Sequence, residues 1–144
     1  MRPVALGVAL LLAGCAGRRV LLLPDPPRRT SVGAMLAANP LAREQNIRPI
    51  EIAHGTESSV SLIQIRDREA PHIHTRYDLT VFLVEGHGVL WLDNTPQPMR
   101  SGDVAFVPKD TPHFFINEGD NPASALVSFA PAFNGPDQQP VPGP

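Results

Sequence analysis

The sequence predicts an all-β fold, a sandwich or barrel of short antiparallel strands, and three observations carry that expectation. Beyond residue 40, apolar and β-branched runs of four to seven residues recur at about ten-residue spacing, divided by Gly, Pro, Asn and Asp. No helical periodicity lies between the runs, so nothing supplies the crossovers that a parallel sheet requires. The 144 residues include 17 prolines, more than twice average usage, which disfavours long helices and predicts frequent turns.

The elements follow in order. Ser31 to Ala38 forms a short N-terminal helix capped by Thr30 or Ser31 and stopped by Asn39-Pro40. Ile50–Ala53 and Val60–Arg66 are the first two strands. Leu79–Val84 ends in the turn Glu85-Gly86-His87-Gly88, which leads into Val89-Leu90-Trp91-Leu92. Asp93-Asn94-Thr95-Pro96 turns the chain again. Asp103–Val107 precedes the corner Pro108-Lys109-Asp110-Thr111-Pro112, and His113–Asn117 and Ala123–Phe129 complete the set. Leu79–Val84 is apolar on both faces, so one face needs cover from a second sheet or from a partner copy in a homodimer. Phe82, Trp91, Phe106, Phe114, Phe115 and Phe129 are assigned to the core or to such a dimer face. The last fourteen residues, Pro131–Pro144, hold five prolines and read as a strap over the barrel or a frayed tail.

The first thirty residues are a different object. Arg2 precedes a run of about ten apolar residues, Val4 to Ala13, which is a secretory signal and too short for the ~18 residues of a spanning helix. It ends Leu12-Ala13-Gly14-Cys15, which resembles the lipobox of bacterial lipoproteins. The resemblance implies a signal peptide over 1–14 and lipidation of Cys15, with diacylglycerol and an amide-linked acyl chain. An ordinary signal with an incidental cysteine is the alternative; Cys15 is the only cysteine and stands at the cleavage point. Residues 15–30 then form a tether rich in Pro and Arg, able to span roughly 45–50 Å, and its arginines suit anionic lipid. Sorting rules of that family, with Ala16 after the cysteine, imply a lipoprotein anchored in the outer membrane and facing the periplasm.

The charge of −2 conceals a division: residues 1–29 carry five arginines and one aspartate, or +4, and residues 30–144 carry −6. Neither sum gives an overall basic footprint for nucleic acid, which is excluded as a partner. The only lysine is Lys109, and neither a phosphate-cradling loop nor a nucleophile elbow is present. A single cysteine rules out a disulfide framework.

The chemistry gathers on histidine. His72-Ile73-His74 puts two imidazoles on one face of an extended strand, a pair able to chelate a divalent metal. Asp78 follows four residues on, and Gly86 closes the next hairpin. Gly102, Pro108, His113 and Asn117 then recur at fixed spacing. Over residues 47–130 this resembles the cupin superfamily, whose motifs read G-x5-H-x-H-x3–4-E-x6-G and G-x5-P-x-G-x2-H-x3-N. Asp110 stands where the second motif has its middle glycine. The resemblance implies a double-stranded β-helix, or jelly-roll barrel, over residues 31–130, with His72, His74 and His113 holding a divalent transition metal (Fe, Zn, Mn or Ni). The carboxylate departs from the pattern: Leu79 occupies the glutamate position and Asp78 is one residue away. Either Asp78 reaches the metal from the turn end of its strand, or the site has three histidines and no carboxylate. His54 and His87 match no motif position and are expected at the surface, and Tyr77 and Glu85 are read as loop residues near the mouth.

Three functions are compatible with these residues. One is a metal-dependent enzyme of dioxygenase, isomerase or decarboxylase type acting on a small molecule. Another is a periplasmic module that binds a metal or small ligand, and the third is a scaffold lipoprotein.

Overall fold

A computed structural model describes residues 20–24 and 27–144. The signal peptide over 1–14 and the lipidation site Cys15 lie outside the described residues. The described residues up to Ala38 and those from Asn39 onward form two units.

In the first unit, β1 (Val20–Pro24) and β2 (Pro27–Ser31) pair antiparallel, with Val20 opposite Ser31. This hairpin stands where the sequence suggests a tether. The prolines at its turn end suit strand termini, which need no ladder N–H there. α1 (Val32–Ala38) follows, and its Ala34 N–H donates to the Ser31 hydroxyl at 3.2 Å, the capping role expected of that serine.

The second unit is the barrel, two five-stranded antiparallel sheets. One runs in the order β3 (Ile47–His54), β4 (Ser59–Ile65), β11 (Ala123–Ala130), β6 (Asp78–Glu85), β9 (Val104–Val107). The other runs β12 (Gln138–Pro140), β5 (His72–His74), β10 (His113–Asn117), β7 (His87–Leu92), β8 (Thr95–Arg100). Strict alternation builds the interior. Leu79, Val81 and Leu83 of β6 and Ala125, Val127 and Phe129 of β11 all point between the sheets. There they meet Leu90, Met99 and Phe115 from the other sheet in one buried cluster. Each such aliphatic or aromatic side chain contributes roughly 1.5–3 kcal/mol by leaving water.

Two strands of the barrel escaped the sequence pattern. β8 carries Pro96 and Pro98, which read as turn residues, yet it is an edge strand where a missing N–H is tolerated. The β7–β8 turn is Asp93-Asn94, both at positive φ (45° and 63°), as a two-residue hairpin demands. β12 lies in the Pro-rich terminal segment and pairs antiparallel with β5 at the edge of its sheet. At the other edge, Phe106 is 60% exposed on β9 and Val104 61%, so Phe106 is outside the core. Tyr77 moves the opposite way: it is 1% exposed rather than a solvated loop residue.

Candidate metal centre

β5 is the centre of the site. Antiparallel pairing sets His72 opposite His113 of β10 on one side and His74 opposite Gln138 of β12 on the other. With two-residue periodicity, His72 and His74 both face inward. All three histidines are buried, with ring centroids 4.4 Å apart for His72–His113, 5.1 Å for His72–His74 and 5.5 Å for His74–His113. One ring nitrogen from each lies within 4.8 Å of the others.

Each ring is oriented through its Nδ1. The His72 Nδ1–H donates to the Ala70 carbonyl at 2.8 Å, and that of His113 to the Thr111 carbonyl at 2.8 Å. His74 Nδ1 is 2.6 Å from Asp137 Oδ1, with both side chains nearly inaccessible at 6% and 2%. A backbone carbonyl or a carboxylate can only accept, so each Nδ1 carries a proton and Nε2 presents the lone pair. Burial also lowers the pKa of His113 to about 4, the Thr111 bond opposing and His72 and His74 adding to the fall. His74 is lowered too, by burial first, against the hydrogen bond and charge of Asp137. Burial alone would raise Asp137, but the His74 bond, the Arg76 N–H and nearby charge outweigh it and hold the carboxyl below its ordinary range. These two rings therefore offer free lone pairs at neutral pH. Three converging, oriented ring nitrogens fit a divalent transition metal.

The remaining sequence-predicted residues serve other ends. Asp78 is absent from the converging group among the described residues. Its Oδ1 accepts the Lys109 N–H at 2.8 Å, fixing the corner that leads to His113, while its neighbour Leu79 lines the cavity. Alternation along β6 accounts for this, because successive side chains face opposite sides. Asp110 adopts φ 64°, the conformation for which the motif uses glycine, and its N–H donates to the His74 carbonyl at 2.7 Å. Asn117 Nδ2 donates to the carbonyls of Arg66 (2.8 Å) and Asn121 (2.9 Å), closing a loop away from the metal position. His54 and His87 are exposed.

Sequence reasoning missed Glu69, Asp137 and Gln138. Glu69 Oε2 accepts the Phe115 N–H at 2.9 Å, and burial raises its pKa against the opposing effects of His72 and that bond. Asp137 is the only charged side chain in residues 131–144, which was the available signal. Arg76 and Tyr77 return it to the site. The Arg76 N–H donates to Asp137 Oδ2 at 2.9 Å, the Tyr77 hydroxyl donates to the Gly135 carbonyl at 3.1 Å, and the Asn134 N–H donates to the Tyr77 oxygen at 2.7 Å.

The histidines open on a cavity of about 520 Å³ inside the barrel. Its walls are mostly apolar, and besides the histidines its polar side chains are Glu69, Ser124 and Gln138. That volume lies in the roughly 300–1,000 Å³ range of small-molecule sites.

Two curved sheets closing on a buried histidine triad and an apolar cavity define a small double-stranded β-helix protein with a metal-type centre. Residues 60–129 match the cupin domain family, and the chain belongs to the cupins. It is 34% identical over 98 residues to an uncharacterised protein of Aquifex aeolicus (strain VF5), covering 66% of this chain and 80% of that one. Among solved structures it is similar to KdgF from Halomonas sp., with a TM-score of 0.59, 21% identity, and coverage of 65% of this chain and 86% of that one. It is likewise similar to a variant of Streptomyces PAC13 solved with uridine, with a TM-score of 0.58, 22% identity, and coverage of 71% and 83%.

Proposed function

We propose that this chain is a lipid-anchored cupin enzyme that holds one divalent transition metal on His72, His74 and His113 and transforms a small organic molecule inside the barrel. The observation that carries the metal reading is that all three Nδ1 atoms are engaged, leaving three Nε2 lone pairs to converge. Asp78 is left to its loop, so the histidines act without a carboxylate from motif one. A bound ion supplies Lewis acidity and open coordination positions.

The chain's own residues define the rest. The apolar wall built by Leu79, Val81, Leu83, Val127 and Phe129 selects a ligand with an apolar body and excludes water from it. Among the described residues Glu69 is the only carboxyl on that wall; with Oε2 bonded to Phe115, Oε1 is the atom left to meet a polar group of the ligand. Burial raises its pKa above the ordinary carboxyl value, the direction asked of an acid–base group. The PAC13 structure with uridine supports a barrel of this fold as a container for a small polar-headed organic molecule. The anchor rests on Leu12-Ala13-Gly14-Cys15, with the outer membrane as the destination suggested by Ala16.

Metal analysis of the untagged protein tests the reading. About one equivalent of a transition metal is expected after reconstitution, and retention below about 0.2 equivalents overturns it. With iron bound, oxygen consumption on catechols, thiols and keto acids separates an enzyme from a binding module. Cys15→Ser is expected to abolish both the lipid mass increment and detergent partitioning.

A further inference from the structure

The C-terminal segment reaches the histidines from β12. Gln138 sits in register with His74, yet its side chain reaches the other histidine of the pair: its amide nitrogen is 3.2 Å from His72 Nε2. His72 Nδ1–H is spent on the Ala70 carbonyl, so His72 Nε2 is an acceptor and the Gln138 amide N–H donates to it. Gln138 therefore occupies the lone pair that an ion on His72 must use.

We propose that Gln138 is the fourth protein ligand of the metal centre, exchanging its N–H bond to His72 for an oxygen–metal bond when the ion binds. The inference rests on the reading of the triad as a metal site. An ion at His72 Nε2 meets the Gln138 amide at once, and an N–H facing a cation is repelled. Turning the terminal amide presents Oε1 in its place, and that sp³–sp² torsion is broad and two-fold in character. A carbonyl oxygen is a competent donor to divalent first-row ions. No carboxylate from β6 would compete for that role, because β6 turns Leu79 inward and commits Asp78 to Lys109. Glu69, the carboxyl among the cavity-lining residues, has Oε2 fixed on Phe115 and lies outside the converging group. Gln138 is held in place by β12–β5 pairing, and its neighbour Asp137 is bonded to His74. Two adjacent strap residues thus address two adjacent ligands. A neutral amide in place of a carboxylate also leaves one more positive charge on the centre, which strengthens its Lewis acidity.

The test uses the full chain in detergent with Co²⁺ alone, read by chelator competition and visible absorption, and with Zn²⁺ alone, read by side-chain amide NMR. Gln138→Ala is expected to lower Co²⁺ affinity by about 10-fold or more and to shift the absorption bands. Gln138→Glu is expected to bind at least as tightly as the wild type, with a third spectrum. In the wild type, Zn²⁺ is expected to displace the Gln138 side-chain amide resonance strongly, a readout that requires no variant to fold. Gln138→Ala with affinity within about two-fold and an unchanged spectrum overturns the ligand while leaving the three-histidine site standing. Tighter binding by Gln138→Ala makes Gln138 a competitor and overturns it equally. Failure of the wild type to retain either ion overturns the triad reading and this inference together.

Discussion

Asp137 Oδ1 stands 2.6 Å from His74 Nδ1, across 63 residues of chain, with both side chains shielded from solvent. The carboxylate fixes the ring tautomer, raises the basicity of the opposite nitrogen, and ties the strap to β5 through its second oxygen on the Arg76 N–H. Asp137→Asn keeps the shape but removes the charge. It is expected to weaken metal retention about 10- to 100-fold, whereas His113→Ala abolishes retention. Chelator competition on both variants checks the order.

The metal-free protein is expected to lose stability as pH falls from 6.5 towards 4. His113 titrates at about 4 when folded and near its ordinary 6.5 when unfolded. Between those values the unfolded chain takes up a proton that the folded one refuses, so acid favours unfolding across that window, by up to about 3 kcal/mol for this group. His74 works in the same direction. Glu69 opposes them, because its raised carboxyl accepts a proton in the fold before it would in the unfolded chain. Asp137 acts lower, its stabilisation being lost as pH falls below 3.8. Urea melts of chelator-treated Glu69→Gln at pH 7.5 and pH 4.5 isolate the histidines. Equal stability at the two pH values contradicts the assignment.

The extent to which the sequence discloses this site follows from the range of its interactions. His72 and His74 are legible because strand alternation acts over two residues, and His113 because Gly102, Pro108 and Asn117 frame it at fixed offsets. The spacing also isolates the anomaly at Leu79 and Asp78, but only the observed facing of β6 assigns Leu79 to the cavity and Asp78 to the loop. Asp137 and Gln138 are illegible. Their pairing with β5 closes a loop of more than sixty residues, and no local period marks a three-residue strand among prolines. β8 was hidden by the same prolines that suit it to an edge.

Tyr77 is the latch of the strap. Its hydroxyl donates to Gly135 and accepts from Asn134, and its ring packs at a tilt against Phe133, 5.4 Å between centroids. Tyr77→Phe leaves the ring packing but removes the partner of the part-buried Asn134 N–H, while the Gly135 carbonyl keeps its bond from Arg76, at a cost of about 1 kcal/mol. Limited proteolysis is expected to cut residues 131–144 faster in the variant, and metal retention is expected to fall with it because Asp137 and Gln138 ride on that segment. Unchanged cleavage and retention would show that β12 pairing alone holds the strap.

At Gly88, β7 leaves no room for a side chain against β10. A Cβ there would lie 2.1 Å from the Ile116 carbonyl oxygen and 2.6 Å from the Phe115 ring. The first obstacle is backbone, so no rotamer change relieves it, and the strands must separate. Gly88 pairs with Asn117 at one end of the ladder whose other end sets His113 opposite Leu92. Gly88→Ala is therefore expected to destabilise the protein by roughly 2–4 kcal/mol, well above the cost of an ordinary substitution. Because His113 is carried on the displaced strand, metal affinity is expected to fall along with Tm. Gly33→Ala provides the control, since a Cβ at Gly33 meets nothing within 4 Å. It replaces a helical glycine and is expected to leave Tm unchanged or raise it. A Gly88→Ala protein that melts with the wild type and binds metal as tightly would mean that the β7–β10 ladder does not position His113.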